Sequence, residues 1–63
     1  MTPEALAALR HLRDNKAAPT VKTFDEKFAE VKPMLTLHII QEKGKVYLND
    51  AGKAVLEMFK EQE

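Results

Sequence analysis

The sequence predicts an α+β domain in which three helices pack on a two-stranded antiparallel hairpin. Apolar residues recur at helical spacing in three separate segments, which indicates three amphipathic helices. A Lys43-Gly44 pair between two short β-branched runs indicates a tight hairpin turn. With 63 residues and no cysteine, the chain is limited to one domain without disulfides. Because a domain this small buries only about 60% of its unfolded surface, all of its elements must share one core.

The first helix has start and stop signals at both ends. Thr2 is a good N-cap, and Pro3 suits the first helical position because its missing N–H has no helical partner there. Leucines follow at helical spacing, and an Asp14-Asn15 step with a proline shortly afterwards ends the pattern. These signals predict a helix from Pro3 to about Asp14.

The second segment is ambiguous at its beginning. Residues 19–24 alternate polar and apolar side chains, which fits either a short strand or an extended connector. Thr23 is the expected N-cap of the next helix, because Glu26 three residues later completes a capping box. Pro33 ends this helix, since the residue before a proline disfavours helical geometry. The apolar stripe of this second helix consists of Phe24, Phe28 and Val31.

The middle of the chain predicts a hairpin with a defined register. Residues 33–39 fit a further helical turn or the beginning of a strand, and both alternatives stay open. With Lys43-Gly44 as a two-residue loop, Ile40 pairs with Tyr47 and every other pair follows. The expected pairs are Glu42 with Lys45, Gln41 with Val46, Ile40 with Tyr47 and Ile39 with Leu48. This register places Leu37, Ile39, Val46 and Leu48 on one face, and His38, Ile40 and Tyr47 on the other.

The third helix follows the hairpin directly. Asn49 or Asp50 is its expected N-cap. Gly52 lies early in the helix, where alanine would be better by about 1 kcal/mol, so we expect the backbone to approach the hairpin closely there. The predicted core of the domain consists of Leu6, Leu9, Leu12, Val21, Phe24, Phe28, Val31, Leu35, Leu37, Ile39, Leu48, Val55, Met58 and Phe59.

The charge balance constrains any nucleic-acid function. Ten Lys and Arg residues are matched by ten Asp and Glu residues. Nucleic-acid-binding domains usually carry a basic excess, because phosphate contacts supply most of their non-specific affinity. A neutral chain must therefore collect its cations on one face. The candidate nucleic-acid-binding residues are Arg10, Arg13, Lys16, Lys22, Lys43 and Lys45.

Residues 37–56 resemble the wing and following helix of winged-helix DNA-binding domains of bacterial regulators. In that family a tight basic loop joins two strands, and the second strand ends in Leu-Thr-x-x-Gly before a helix. Leu48-Asn49-Asp50-Ala51-Gly52 fills this pattern with Asn49 in place of threonine. The resemblance covers about a third of the chain. It implies a reduced winged-helix-like fold, because only one short helix and a turn fit between Phe24 and Ile39.

The resemblance also implies a function. It is that of a small regulatory protein, DNA-binding or associated with transcription, that contacts duplex DNA through the lysines at the tip of its wing. An alternative interpretation of Lys43 and Lys45 is that they keep a hairpin edge soluble and unpaired.

A second class of function is a small protein-interaction module that does not bind DNA, for example a phage or accessory protein that docks on a host protein. Ile40 and Tyr47 face away from the core in the expected register, and Leu56 or Met34 extends this patch. Exposed apolar clusters on small domains indicate association with another chain. The alternative is a turn shifted by one residue, which would direct these side chains inward.

Other classes of function lack support in the sequence. His11 and His38 are the only histidines, and without cysteine they do not form the ligand set of a zinc site. The sequence contains no nucleophile–base arrangement and no glycine-rich phosphate loop. We therefore expect no catalytic residues, no metal, no cofactor and no small-molecule substrate. With neither a signal peptide nor a membrane-spanning apolar run, the expected location is cytoplasmic, with no membrane partner.

Overall fold

The protein is an α+β domain, described for residues 2–60 by a computed structural model. Three α-helices enclose one side of a two-stranded antiparallel sheet. The fold class predicted from the sequence is therefore confirmed. The elements in chain order are α1 (Pro3–Asp14), α2 (Val21–Phe28), a 3₁₀ helix (Lys32–Leu35), β1 (Ile39–Glu42), β2 (Lys45–Leu48) and α3 (Asp50–Met58).

Helix α1 has the predicted boundaries. The Thr2 hydroxyl accepts a hydrogen bond of 3.2 Å from the Ala5 N–H, which satisfies one of the orphan donors at the helix start. Asn15 closes the other end, where its side-chain amide donates to the His11 carbonyl at 2.6 Å. The buried face of α1 consists of Ala5, Leu6, Ala8 and Leu9.

Helix α2 begins earlier than the sequence predicts. Thr20 is the N-cap, and its hydroxyl accepts from the Thr23 N–H at 3.1 Å. The expected capping box of Thr23 and Glu26 is therefore wrong, because Thr23 already lies inside the first helical turn. The alternating pattern over residues 19–24 becomes extended backbone only near Thr20, which forms an isolated antiparallel bridge with Lys45. The helix then ends at Phe28, before Val31.

The ambiguous segment before the hairpin forms the further helical turn, the first of the two alternatives, and not the beginning of a strand. A 3₁₀ helix covers Lys32–Leu35, and residues 36–38 form a turn. Pro33 fits the first turn of this helix because that position needs no backbone donor. Leu35 is fully buried, whereas Leu37 is 79% exposed. The prediction that Leu37 belongs to the inner face is wrong, because strand alternation begins only at Ile39.

The hairpin has the predicted register at all of its paired positions. Ile39 pairs with Leu48 and Ile40 with Tyr47, followed by the two pairs nearer the turn. Val46 is fully buried and Ile39 nearly so, whereas Ile40 and Tyr47 remain 44% and 41% exposed. The inward shift that we considered for Ile40 and Tyr47 is therefore excluded.

The core forms where α1, α2, α3 and the inner face of the hairpin meet. Its largest fully buried side chains are Phe24, Leu9, Leu35 and Val46. Two further predictions need correction here. Met58 is 77% exposed, because it lies on the outer side of the last turn of α3, whereas Leu56 is 5% exposed and belongs to the core. Leu12, Val21, Phe28, Leu48 and Val55 are partly buried and pack against this core.

Asn49 connects α3 to the entrance of the hairpin. Its Oδ1 accepts from the Gly52 N–H at 2.8 Å, so it is the N-cap of α3, one of the two residues that the sequence offers. Its Nδ2 donates to the Leu37 carbonyl at 2.8 Å. The backbone N–H of Asn49 also donates to the His38 carbonyl at 3.2 Å.

Two replacements of Asn49 separate its role as N-cap of α3 from its side-chain bond to the Leu37 carbonyl. We expect Asn49→Ala to lower the free energy of unfolding by about 1–2 kcal/mol, because the cap and the bond to Leu37 are both lost. Asn49→Asp keeps a capping oxygen beside the positive end of the helix dipole and loses only the donor, so its loss should be smaller. Urea unfolding monitored by circular dichroism measures both variants. An aspartate variant less stable than the alanine variant would contradict the capping role.

Candidate nucleic-acid interface

The hairpin turn presents two exposed lysines. Lys43 and Gly44 both have positive φ, 53° and 75°, as the turn that best matches strand twist requires. Lys43 lies at the first turn position, and Lys45 begins β2 directly after Gly44; both lysines are exposed. The turn therefore places two ammonium groups at one end of the sheet.

The start of α2 brings a third lysine to this turn. The Val21 N–H donates to the Gly44 carbonyl at 2.9 Å, and Thr20 bridges Lys45. Lys22, which is exposed, directly follows Val21 in the chain and therefore lies next to this contact with the turn. These contacts join two segments that lie about 24 positions apart in the sequence, and they bring the backbone of Lys22 next to the loop of Lys43 and Lys45.

A second group of cations lines an open cleft of ≈ 430 Å³ between the end of α1, β2 and the beginning of α3. Its cations are Arg13, Lys16 and Lys53, and no carboxylate of residues 2–60 lies among its lining residues. We call this the cationic cleft. Its other lining residues include Tyr47 and Leu12. The sequence does not indicate Lys53 as a candidate, because its proximity to Arg13 depends on how α1 packs against α3.

Arg13 is partly neutralised by its neighbour in the sequence. Its Nε lies 2.7 Å from Asp14 Oδ1, and a terminal nitrogen lies 3.1 Å from the other carboxylate oxygen. The hydrogen bond from Arg13 lowers the pKa of Asp14 below its usual value. Desolvation opposes this effect, and the positive charges of Arg13 and then Arg10 add smaller contributions that lower the pKa. Asp14 thus remains ionised at neutral pH and offsets part of the charge beside the cleft.

Strand β2 connects the cationic cleft with the turn lysines. The chain after α1 runs antiparallel to β2, and the Val46 N–H donates to the Pro19 carbonyl at 3.0 Å. This contact lies between the cationic cleft at one end and the turn at the other. We call the combined surface the cationic strip, and its members are Arg13, Lys16, Lys22, Lys43, Lys45 and Lys53.

Arg10 is the one sequence candidate that lies outside this strip. It is half-buried, and its Nε and one terminal nitrogen are shielded from solvent. It is also not among the residues that line the cationic cleft. A guanidinium in this position is less accessible to a long polyanion than the exposed lysines are.

Three acidic residues line a different part of the surface. A cleft of ≈ 370 Å³ between α1 and the end of α2 is lined by Glu4, Glu26 and Glu30, with Lys27 beside them. Other carboxylates lie closer to the cationic cleft: Asp14 pairs with Arg13, and Glu57 lines a neighbouring cleft with Arg13 and Lys53. A local excess of positive charge on one face is what a neutral chain needs in order to approach a polyanion.

The segment between α2 and the hairpin carries apolar rather than basic exposed side chains. Lys32, its one cation, has its Nζ 2.7 Å from Asp25 Oδ1. Met34 in this segment is 52% exposed.

Ile40 and Tyr47 form a half-exposed apolar pair on the outer face of the hairpin. Leu56, which we expected in the same patch, is buried, so its assignment to a protein interface is wrong.

Comparisons with known proteins and searches for other sites give negative findings. No protein-family model matches the chain, and searches of curated proteins and of solved structures return no match. Among residues 2–60, no group of three or more metal-ligating side chains comes together. None of the helices in that part of the chain is long and apolar enough to cross a bilayer.

Proposed function

We propose that this protein is a small cytoplasmic, non-enzymatic DNA-binding protein that contacts duplex DNA through the cationic strip and serves transcription or its regulation. The observation that carries the proposal is a local concentration of positive charge. Six cations lie in the cleft beside β2 or around the hairpin turn, while Glu4, Glu26 and Glu30 line a separate cleft.

The chemistry of the strip favours contacts to phosphates. Five of its members are lysines, which act as mobile point charges and neutralise phosphate oxygens without selecting a base. The Lys43-Gly44 turn is narrow enough to follow a groove or a phosphate run, and its lysines stand at the tip. Because the strip offers little that reads base edges, we expect binding that depends strongly on salt and weakly on sequence.

The order of elements supports a reduced winged-helix-like arrangement. A first helix, an extended residue bridged to the second hairpin strand, a second helix, the hairpin and a last helix follow one another. The Thr20 bridge lies where the family has its short strand. In place of a recognition helix, the chain has only the 3₁₀ helix Lys32–Leu35. We therefore assign binding to the hairpin and the cleft rather than to a helix in the major groove.

Single charge reversals along the strip test the proposal. At low salt the native protein should bind a short duplex, and the logarithm of its affinity should fall linearly with the logarithm of salt concentration. Lys43→Glu, Lys16→Glu and Lys53→Glu should each weaken binding and reduce that slope by about 1. Fluorescence anisotropy with a labelled duplex measures both quantities.

Lys27→Glu is the matched control. It changes the net charge by the same amount, but Lys27 lies beside the glutamates of the acidic cleft. We expect its salt slope to equal that of the native protein. Absence of binding by the native protein at low salt, or equal losses from Lys27→Glu and the strip variants, would reject the cationic strip as the interface.

The second candidate function is a protein-interaction module without DNA binding. It is favoured by the exposed apolar side chains of Met34, Leu37, Ile40 and Tyr47 on and before the hairpin. Under this proposal, Tyr47→Glu abolishes binding of a protein partner while charge reversals in the strip leave that binding unchanged. A protein that binds duplex DNA with the expected salt slope and loses it in the strip variants would favour the first candidate.

A further inference from the structure

One edge of the hairpin is open. In the two-stranded sheet, the outer edge of β2 is covered by the Thr20 bridge and by the hydrogen bond between Val46 and Pro19. Strand β1 has no such neighbour on its outer edge within residues 2–60. Its sequence, Ile39-Ile40-Gln41-Glu42, contains neither lysine nor proline, the residues that usually protect an exposed edge from pairing.

The hydrogen-bond phase of the hairpin identifies the groups that this edge presents. Val46 directs its N–H away from β1, towards Pro19. Paired residues in an antiparallel ladder alternate between exchanging both backbone bonds and exchanging neither. Gln41, the partner of Val46, therefore directs its own N–H and carbonyl outward, and so does Ile39, two residues earlier in the same strand.

We propose that this edge pairs with the same edge of a second copy, which produces a two-fold symmetric dimer with a four-stranded sheet. In the register centred on Ile40, Ile39 faces Gln41 of the second copy, and Gln41 faces Ile39 of the second copy. Both residues present an outward N–H and carbonyl, so each of these two pairs forms both of its hydrogen bonds. Between them, Ile40 faces Ile40 of the second copy.

The side chains agree with this register. Ile40 lies on the outer face, 44% exposed, and its cross-strand neighbour Tyr47 is 41% exposed. Directly opposed side chains in such a central pair approach to about 4.5–5.5 Å, so the two isoleucines cover one another between the two tyrosines. At the ends of the register, His38 faces Glu42 of the second copy, which places no like charges opposite each other.

A second copy fits this edge because the edge is complementary to itself and because the two-fold arrangement ends at two copies. A two-fold interface leaves no further open edge of the same kind, so it yields a dimer and not a fibre. It also leaves the β2 side free, where the cationic strip lies. The inference goes beyond the nucleic-acid proposal and does not depend on it.

Amide exchange and mass together test the dimer. Sedimentation velocity from micromolar to millimolar protein should show a reversible shift from the monomer mass to twice that mass. Over the same range, the amide protons of Ile39 and Gln41, which lack partners in the monomer, should become protected from exchange with solvent. Val46, already bonded to Pro19, should stay protected throughout and so reports that the hairpin is intact.

Ile40→Lys is the disrupting variant, because it places two like charges at the centre of the interface. It should remain monomeric at all concentrations, with Ile39 and Gln41 exchanging freely and Val46 still protected. Met58→Lys is the matched control, since Met58 is 77% exposed at the end of α3. It should dimerise like the native protein. A native protein that stays monomeric at millimolar concentration, or a dimer in which Ile39 and Gln41 exchange freely, would overturn the proposal.

Discussion

Phe24→Ala should leave a large fraction of the protein unfolded at room temperature. Phe24 is fully buried and is among the largest side chains in the core. Its ring centroid lies 5.2 Å from that of Phe28, with the rings tilted by 46°, so the substitution also removes an aromatic pair. Truncation of a buried phenylalanine costs about 3–5 kcal/mol, because the lost transfer free energy is joined by the cost of the cavity.

This cost is comparable to the whole stability of such a domain. A chain of this length is expected to have a free energy of unfolding of about 3–9 kcal/mol. The core has few side chains that could move into the cavity, because Leu9, Leu35 and Val46 are already fully buried around it. We therefore expect a much weaker helical circular-dichroism signal and a broad or absent thermal transition.

Met58→Ala is the control for the Phe24 variant. Its side chain is 77% exposed, so truncation should change the free energy of unfolding by no more than about 0.5 kcal/mol. Thermal and urea unfolding of the native protein and both variants provide the comparison. A Phe24→Ala protein that unfolds cooperatively at the native midpoint would show that the core is not centred on this side chain.

The hairpin could be predicted from the sequence because its determinants are local. A Lys-Gly turn fixes the loop length, the loop length fixes the register, and the register fixes which side chains share a face. The cap of α3 is also local, since Asn49 bonds to Gly52 only three residues away. For the same reason the sequence alone places Lys43 and Lys45 at the hairpin, because their position depends only on the turn.

Features that depend on tertiary packing could not be predicted in this way. The capping-box pattern favours Thr23 as the cap of α2, but the bond between Val21 and Gly44 attaches the chain to the hairpin earlier, and the helix begins after Thr20. Leu56 and Met58 are both apolar residues of α3, and only the docking angle of the helix buries the first and exposes the second. The cationic cleft has the same origin, because Lys53 reaches Arg13 only through the packing of α3 near α1.

The other large effect is expected at Gly52, where two physical effects oppose each other. Gly52 lies in the first turn of α3, so helix propensity alone predicts that alanine would stabilise the protein by about 1 kcal/mol. A Cβ at this position would collide with the backbone carbonyl oxygen of His38 and would lie 2.8 Å from Leu48 Cδ2. Steric overlap and propensity therefore predict changes of opposite sign.

The collision should dominate, because one of the two obstacles cannot move freely. The Leu48 side chain can rotate, but the His38 carbonyl accepts a hydrogen bond of 3.2 Å from the Asn49 N–H, which links β1 to the start of α3. Its displacement would stretch that bond and disturb the adjoining cap. We expect Gly52→Ala to lower the free energy of unfolding by about 1–3 kcal/mol, in the range of overpacked cores, and Gly52→Val to lower it further.

Ala54→Gly measures the propensity effect by itself, since Ala54 is exposed on the same helix. It should cost about 1 kcal/mol, the ordinary difference between alanine and glycine in a helix. Urea unfolding of the three variants gives each value against the native protein, and amide exchange at Asn49 reports on the bond to His38. If Gly52→Ala were more stable than the native protein, propensity would outweigh packing, and α3 would lie farther from the hairpin than the structure places it. Loss of stability with faster exchange at Asn49 would instead locate the strain at this junction, on which the orientation of α3 and thus the cationic cleft depend.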